Sequence, residues 1–149
     1  MKEVSIKNKK AYFEYEIFEE FTAGLQLTGT EIKSIRSSKA SIKEGHCYEK
    51  QGEVFIKNMH IAEYENGSFT NHLPRRERKL LLNKKEIKKI EKELKVKGIT
   101  LVPLKLFISK SGYAKLNIGL GRGKKLHDKR ESLKEKDTKR DLDRLMKRR

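Results

Sequence analysis

At 149 residues the chain has room for one domain with an appended segment, and 37 Lys and Arg against 21 Asp and Glu give it a formal charge of +16. One cysteine, Cys47, excludes a disulfide framework and a cysteine-based metal site, while His46, His60, His72 and His127 show no metal-ligand spacing, so neither metal nor cofactor is expected. Met1-Lys2-Glu3-Val4 lacks the apolar core of a secretion signal and no run approaches the ~20 apolar residues of a membrane span, which predicts a cytoplasmic protein with no membrane partner.

An excess of cations this large projects a long-range positive field. It suits an anionic membrane surface, plain solubility or nucleic acid, and in a chain without an apolar anchor nucleic acid is the partner it favours.

From Ala11 to Leu27 aromatic and β-branched residues alternate with polar ones, as in Phe13, Tyr15 and Ile17 against Tyr12, Glu14 and Glu16. Period-two patterning predicts two strands there, or one long bent strand. Thr28-Gly29-Thr30-Glu31 fits a capping box, and Ile32 and Ile35 follow three apart, which predicts a short helix to Ser37 with Lys33 and Arg36 on the neighbouring face. Ser41 to Ile61 returns to strand character, with Gln51-Gly52 as a hairpin turn between Cys47-Tyr48 and Val54-Phe55-Ile56. Asn66-Gly67-Ser68 opens a loop that runs to Pro74.

Asn83-Lys84-Lys85-Glu86 is a second capping-box start, followed by Ile87, Ile90 and Leu94 at helical spacing, with Gly98 as the C-terminal cap. Ile99–Ile108 and Tyr113–Leu120 read as two strands joined at Ser111-Gly112, and Pro103 demands an edge or a bulge. Short strands, hairpin turns and few helices predict a mainly β fold: an OB-like antiparallel β-barrel with flanking α-helices. That body is expected over residues 1–120. Residues 121–149 carry 13 Lys and Arg against six Asp and Glu and few large apolar side chains, so they are expected to be a basic tail, disordered in free solution, that folds on a partner.

Three basic clusters stand out: Asn8-Lys9-Lys10, Arg75-Arg76-Glu77-Arg78-Lys79 and Gly121-Arg122-Gly123-Lys124-Lys125. Each alone can be a solvated face. Together they predict phosphate contacts, with Arg76, Arg78, Lys79, Arg122, Lys124 and Lys125 as RNA-binding side chains and Phe13 able to stack on an unpaired base or pack in the core. Gly119 to Lys125 lacks the GxxxxGK[ST] pattern of a phosphate-binding loop, and no nucleophile lies at a recognisable spacing from a base, so the chain does not read as an enzyme.

Taken in order, Asn8-Lys9-Lys10-Ala11-Tyr12, the run Gly24 to Arg36, Asn58-Met59-His60-Ile61, Arg76 to Asn83, Gly98 to Leu104 and Gly121 to Arg130 resemble the SmpB family of SsrA-binding proteins from near residue 5 to the C-terminus. The resemblance implies a monomeric adaptor that binds the tRNA-like domain of tmRNA and brings it to stalled ribosomes for trans-translation. Elongation factor Tu is implied as an indirect partner through alanyl-tmRNA. By position it implies tmRNA contacts at Leu81 and Lys115, an N-terminal contact surface at Asn8, Lys9, Lys10 and Phe13, and a tail stem at Lys124, Lys125, His127, Asp128, Lys129 and Arg130, the last four at the ribosomal decoding centre and the tail in the mRNA channel. Two positions depart from the family pattern: Thr22 stands where an acidic residue is common, and Phe13 where His or Arg is common. A generic basic ribosomal or RNA-chaperone protein with an OB-like body is the rival binding module, and an RNA-processing enzyme the rival of another class.

Overall fold

A computed structural model describes residues 4–65 and 71–124. In chain order the elements are β1 (Ser5–Lys7), α1 (Lys9–Glu14), β2 (Tyr15–Leu25), α2 (Gly29–Arg36), β3 (Ala40–Ser41), β4 (His46–Lys50), β5 (Glu53–Lys57), β6 (His60–Ile61), β7 (Arg78–Leu81), α3 (Lys84–Leu94), β8 (Ile99–Ile108) and β9 (Ala114–Gly123). Seven strands form one antiparallel sheet in the order β1-β8-β9-β2-β7-β5-β4, and β3 pairs with β6 beside it. The fold is mainly β with three helices among the described residues.

The hydrogen-bonded ladder is open. β1 pairs with β8 alone and β4 with β5 alone, so the described strands make no closed barrel. The sheet nonetheless curls until β4 packs against β8. A Cβ on Gly45, just before β4, would lie 3.3 Å from the Pro103 ring. The curl depends on missing side chains, since a Cβ on Gly119 would sit 2.8 Å from both Ile17 and Leu104, and one on Gly121 2.8 Å from Ile17. A register shift between Pro103 and Lys105 supplies the bulge expected where a residue without an N–H interrupts a strand.

The strand expected to begin at Ala11 begins at Tyr15 instead, because Lys9–Glu14 forms a helix. Its one buried residue, Ala11, packs with Val102, Leu104, Tyr15 and Ile17 on the outer side of the sheet. Tertiary contact overrides the aromatic, β-favouring pattern there. α3 ends at Leu94, ahead of the Gly98 cap expected for it, and Gly98 takes φ 88° in the turn closed by the Ile99 amide on the Val96 carbonyl. The hairpin at Gln51-Gly52 forms with φ 53° and 77°, the paired positive values of a tight two-residue turn. β9 continues to Gly123, three residues past the point where composition changes.

The main core gathers Ile56, Leu80, Leu106, Leu116 and Ile118 from the sheet, Ile35 from α2 and Ile90 from α3. Cys47 belongs to it, and burial pushes its thiol well above the ordinary range, so it packs as a small apolar group rather than reacting as a thiolate. No helix of the described residues is long and apolar enough to cross a membrane.

Candidate nucleic-acid interface

On three neighbouring strands, Lys115 of β9 and Leu81 of β7 stand on either side of Gly24 of β2, each in register with it. Gly24 has no side chain, so the row has a bare floor between a cation and an apolar branch. Leu25, Leu27, Ile32 and Arg36 from the β2–α2 side and Gly112 and Tyr113 from the β8–β9 turn complete a groove of about 370 Å³. Leu81 is 51% exposed and Tyr113 68% exposed, and the two share one groove rather than standing singly on the surface. The groove therefore offers two cations, an aromatic face and an apolar contact, the set that grips an RNA backbone and an unstacked base together. At its edge the Thr22 hydroxyl donates to Asn117 Oδ1 at 2.9 Å.

The groove wall is held by a buried ionic network. Glu31 opens α2 as the third helical residue and accepts from the Thr28 amide at 2.9 Å, the capping half expected of it. The same carboxylate also accepts from Arg76 Nε at 3.1 Å and from Arg78 Nε. Burial pushes the Glu31 carboxyl up, but the Arg76 hydrogen bond, the Thr28 amide, the Arg78 hydrogen bond and the Arg78 charge outweigh it and leave it below the usual carboxylate range. Arg78 spends its remaining donors on the carbonyls of Met59 at 2.7 Å, Pro74 at 3.1 Å and Arg76 at 3.1 Å. Buried His72 completes the junction: its Nε2 meets the Ile61 carbonyl at 2.9 Å and its Nδ1 the Thr30 hydroxyl at 2.9 Å.

These contacts correct part of the sequence reading. Arg78 is wholly buried, with its charge absorbed by Glu31, and it presents nothing to RNA. Asn8 is largely buried: its Nδ2 donates to the Pro103 carbonyl at 2.9 Å and its amide to the Leu104 carbonyl at 2.8 Å, while its Oδ1 has no partner among the described residues and the residue lines the groove beside Lys10. Arg76 is half-buried on Glu31, and Lys79 pairs with Glu53 at 2.8 Å. Lys9 and Lys10 are exposed on α1, Lys10 being 3.7 Å from Glu14, and Phe13 is half-buried on the same helix. Lys10 lines a second groove of about 400 Å³ with Tyr15, Lys43, His46 and Asn58. Arg122 is exposed near the end of β9, and the Lys124 amide donates to the Glu14 carbonyl at 2.9 Å. Lys125, His127, Asp128, Lys129 and Arg130 lie outside the described residues.

Leu81 and Lys115 thus come together around Gly24, while Arg78 leaves the surface and Asn8 lines the second groove. Sequence reasoning missed Tyr113, which it placed at the start of a strand, and the second role of Glu31, which it took for a cap alone. A carboxylate at a capping position with two arginines 45 and 47 residues on carries no local signal of their meeting.

The described residues therefore define a small, strongly basic β protein with an open groove lined by two cations and exposed apolar groups, and with no cluster of His, Cys, Asp or Glu able to hold a metal ion. A family model described as SmpB protein matches residues 5–148. The SsrA-binding protein of Phocaeicola vulgatus is 59% identical over 145 residues, covering 97% of both chains, and that of Bacteroides thetaiotaomicron is 58% identical over the same length. A solved chain from a structure described as "tmRNA-SmpB: a journey to the center of the bacterial ribosome" superposes with a TM-score of 0.69 at 44% identity, covering 83% of this chain and 86% of that one. The chain belongs to the SmpB family, a family of non-enzymatic RNA-binding proteins.

Proposed function

We propose that this protein binds the tRNA-like domain of tmRNA and carries it to stalled bacterial ribosomes for trans-translation, so that the ribosome is released and the nascent peptide is tagged for degradation. Family membership over almost the whole chain supports the activity. The observation that carries the binding surface is the row Lys115–Gly24–Leu81, because it joins a phosphate-seeking cation to an exposed apolar contact across a bare floor. On this reading the curled sheet acts as an OB-like body, with Lys9, Lys10, Phe13, Arg36 and Arg122 adding contacts around it.

The division of labour we infer gives the body, residues 1–120 with the end of β9, to tmRNA. The tail, with His127, Asp128, Lys129 and Arg130 at its stem, goes to the decoding centre and the mRNA channel. A cationic tail can thread a channel only where no mRNA fills it, so occupied ribosomes reject it by overlap. The protein acts in the cytoplasm as a monomer, and elongation factor Tu reaches it through the alanyl-tmRNA they share.

Gel-shift titration against tmRNA, total tRNA and an unrelated hairpin tests the binding step. A strong preference for tmRNA, lost in Lys115→Glu and reduced in a Leu81→Asn variant shown to be folded by circular dichroism, is the expected result. Equal affinity for all three RNAs would identify a general RNA chaperone instead.

A further inference from the structure

We propose that the outer face of α3 is a second RNA contact, one that grips the phosphate backbone of double-helical RNA. The inference rests on the RNA-binding reading above and adds a surface that the groove does not include. Between Lys84 and Lys97 the chain places seven lysines against three glutamates. Ile87, Ile90 and Leu94 turn into the core, which leaves Lys84, Lys85, Lys88, Lys92 and Lys95 exposed within roughly 100° of arc over about 16 Å of helix.

Exposed lysines without an acid partner also occur singly elsewhere, Lys7, Lys50 and Lys110 among them, but on α3 five of them share one helix face. Lys10, Lys39, Arg75, Arg76 and Lys79 are each met by a carboxylate, and on α3 itself Lys89 pairs with Glu19 of β2. The five lysines of the outer face have no acid partner among the described residues. Lys84 and Lys85 stand in the first turn of the helix, where Glu86 is the one acidic side chain and its carboxylate already accepts from the Asn83 amide at 3.1 Å. The stripe also starts three residues beyond Leu81, through Leu82 and the Asn83 cap whose Oδ1 accepts from the Glu86 amide at 2.8 Å, so the groove leads onto it.

Composition selects the form of RNA. No aromatic residue lies between Lys84 and Gly98, so the face has no platform on which unpaired bases can stack. Lysines act as point charges and read no base edge, which leaves the evenly spaced phosphates of a duplex. A lipid surface would require an outward apolar side, and here Ile87, Ile90 and Leu94 are spent on the core.

The test is a salt titration of binding by the full chain to a short blunt RNA duplex and to one of its strands alone. Lys84→Gln/Lys88→Gln/Lys92→Gln is compared with Lys7→Gln/Lys50→Gln/Lys110→Gln, a variant that removes equal charge from three exposed lysines elsewhere. The stripe variant is expected to lose about tenfold or more in duplex affinity at 0.1 M salt, with the slope of log K on log salt falling by about 2, while the control stays near wild type. Equal losses in both variants would reduce the effect to net charge and overturn the proposal. So would an unchanged slope in the stripe variant, or a wild-type preference for the single strand. Failure of the wild type to bind the duplex and tmRNA alike would instead remove the RNA-binding reading on which the proposal rests.

Discussion

Glu31 and Arg78 form an ion pair in which neither side chain is exposed at all, joining the first turn of α2 to the start of β7 across 47 residues of chain. Two buried charges of this kind are tolerable only because every neighbour is arranged for them: Arg76 and the Thr28 amide serve the carboxylate, and three backbone carbonyls serve the guanidinium. Residues 71–77 before β7 are irregular, and Arg78 collects the carbonyls of Pro74 and Arg76 from them and that of Met59 from before β6. The pair therefore sets the position of β7, and with it Leu81.

Removing both members should cost less than the two single losses added together. Arg78→Met leaves the Glu31 carboxylate buried without its wholly buried cation, and a loss of about 3–5 kcal/mol is expected from urea unfolding. Glu31→Gln should lose a similar amount by stranding Arg78. The double variant Glu31→Gln/Arg78→Met should be more stable than the sum of the single losses predicts. Strict additivity would show that the two side chains do not depend on each other.

The same network makes stability fall in acid. Glu31 titrates below its unfolded value of about 4.3, so its contribution is complete above that pH and is lost as pH drops through the lower folded value. Urea unfolding midpoints measured from pH 7 down to about 3 should decline, and the decline should be shallower in Glu31→Gln, which has no proton to take up there. Parallel curves for the two proteins would assign the acid sensitivity to other carboxylates.

How much of this was legible from the chain depends on how far apart the interacting residues lie. The capping boxes at Thr28 and Asn83, the Gln51-Gly52 turn and the Pro103 bulge are local, and each was readable because the cause and the effect sit within a few residues. α1 was hidden because the reason for it, Ala11 against Val102 and Leu104, lies some 90 residues away. The burial of Arg78 was hidden for the same reason. In a cluster of polar residues nothing local tells which one is drawn inward to satisfy a distant carbonyl or carboxylate. Leu81 and Lys115 entered through family resemblance, and only the strand order explains why a leucine and a lysine 34 residues apart stand at one place.

Gly24 offers a direct test of the groove floor. A methyl group there would meet the Leu81 Cβ at 3.3 Å, tight enough to move Leu81 a few tenths of an ångström and to raise the floor beneath the ligand. Gly24→Ala should stay folded, since Gly24 does not require a positive φ. Its affinity for tmRNA should fall about tenfold, equivalent to about 1.4 kcal/mol. Wild-type affinity in a folded Gly24→Ala protein would show that RNA does not approach the floor.

The tail should be separable from the body, and the structure says where to cut. β9 runs to Gly123, and the Lys124 amide then closes onto the Glu14 carbonyl, tying the end of the sheet to the last residue of α1. A chain ending at Lys124 keeps every described element, whereas one ending at Leu120 strips three residues from a strand paired on both sides with β2 and β8. The chain ending at Lys124 should therefore match the full chain in urea midpoint and retain tmRNA binding, with a salt dependence close to that of the full chain because the phosphate contacts lie on the body. The shorter one should be measurably less stable. If the tail serves the decoding centre, the Lys124 truncation should bind tmRNA yet fail to support peptide tagging on ribosomes stalled at the end of a message. The single substitution His127→Ala should lower tagging without changing tmRNA affinity, and His127→Phe should restore part of it if the ring acts by stacking. Loss of tmRNA affinity as severe as the loss of tagging in the Lys124 truncation would place the tail in tmRNA binding and end the proposed division between body and tail.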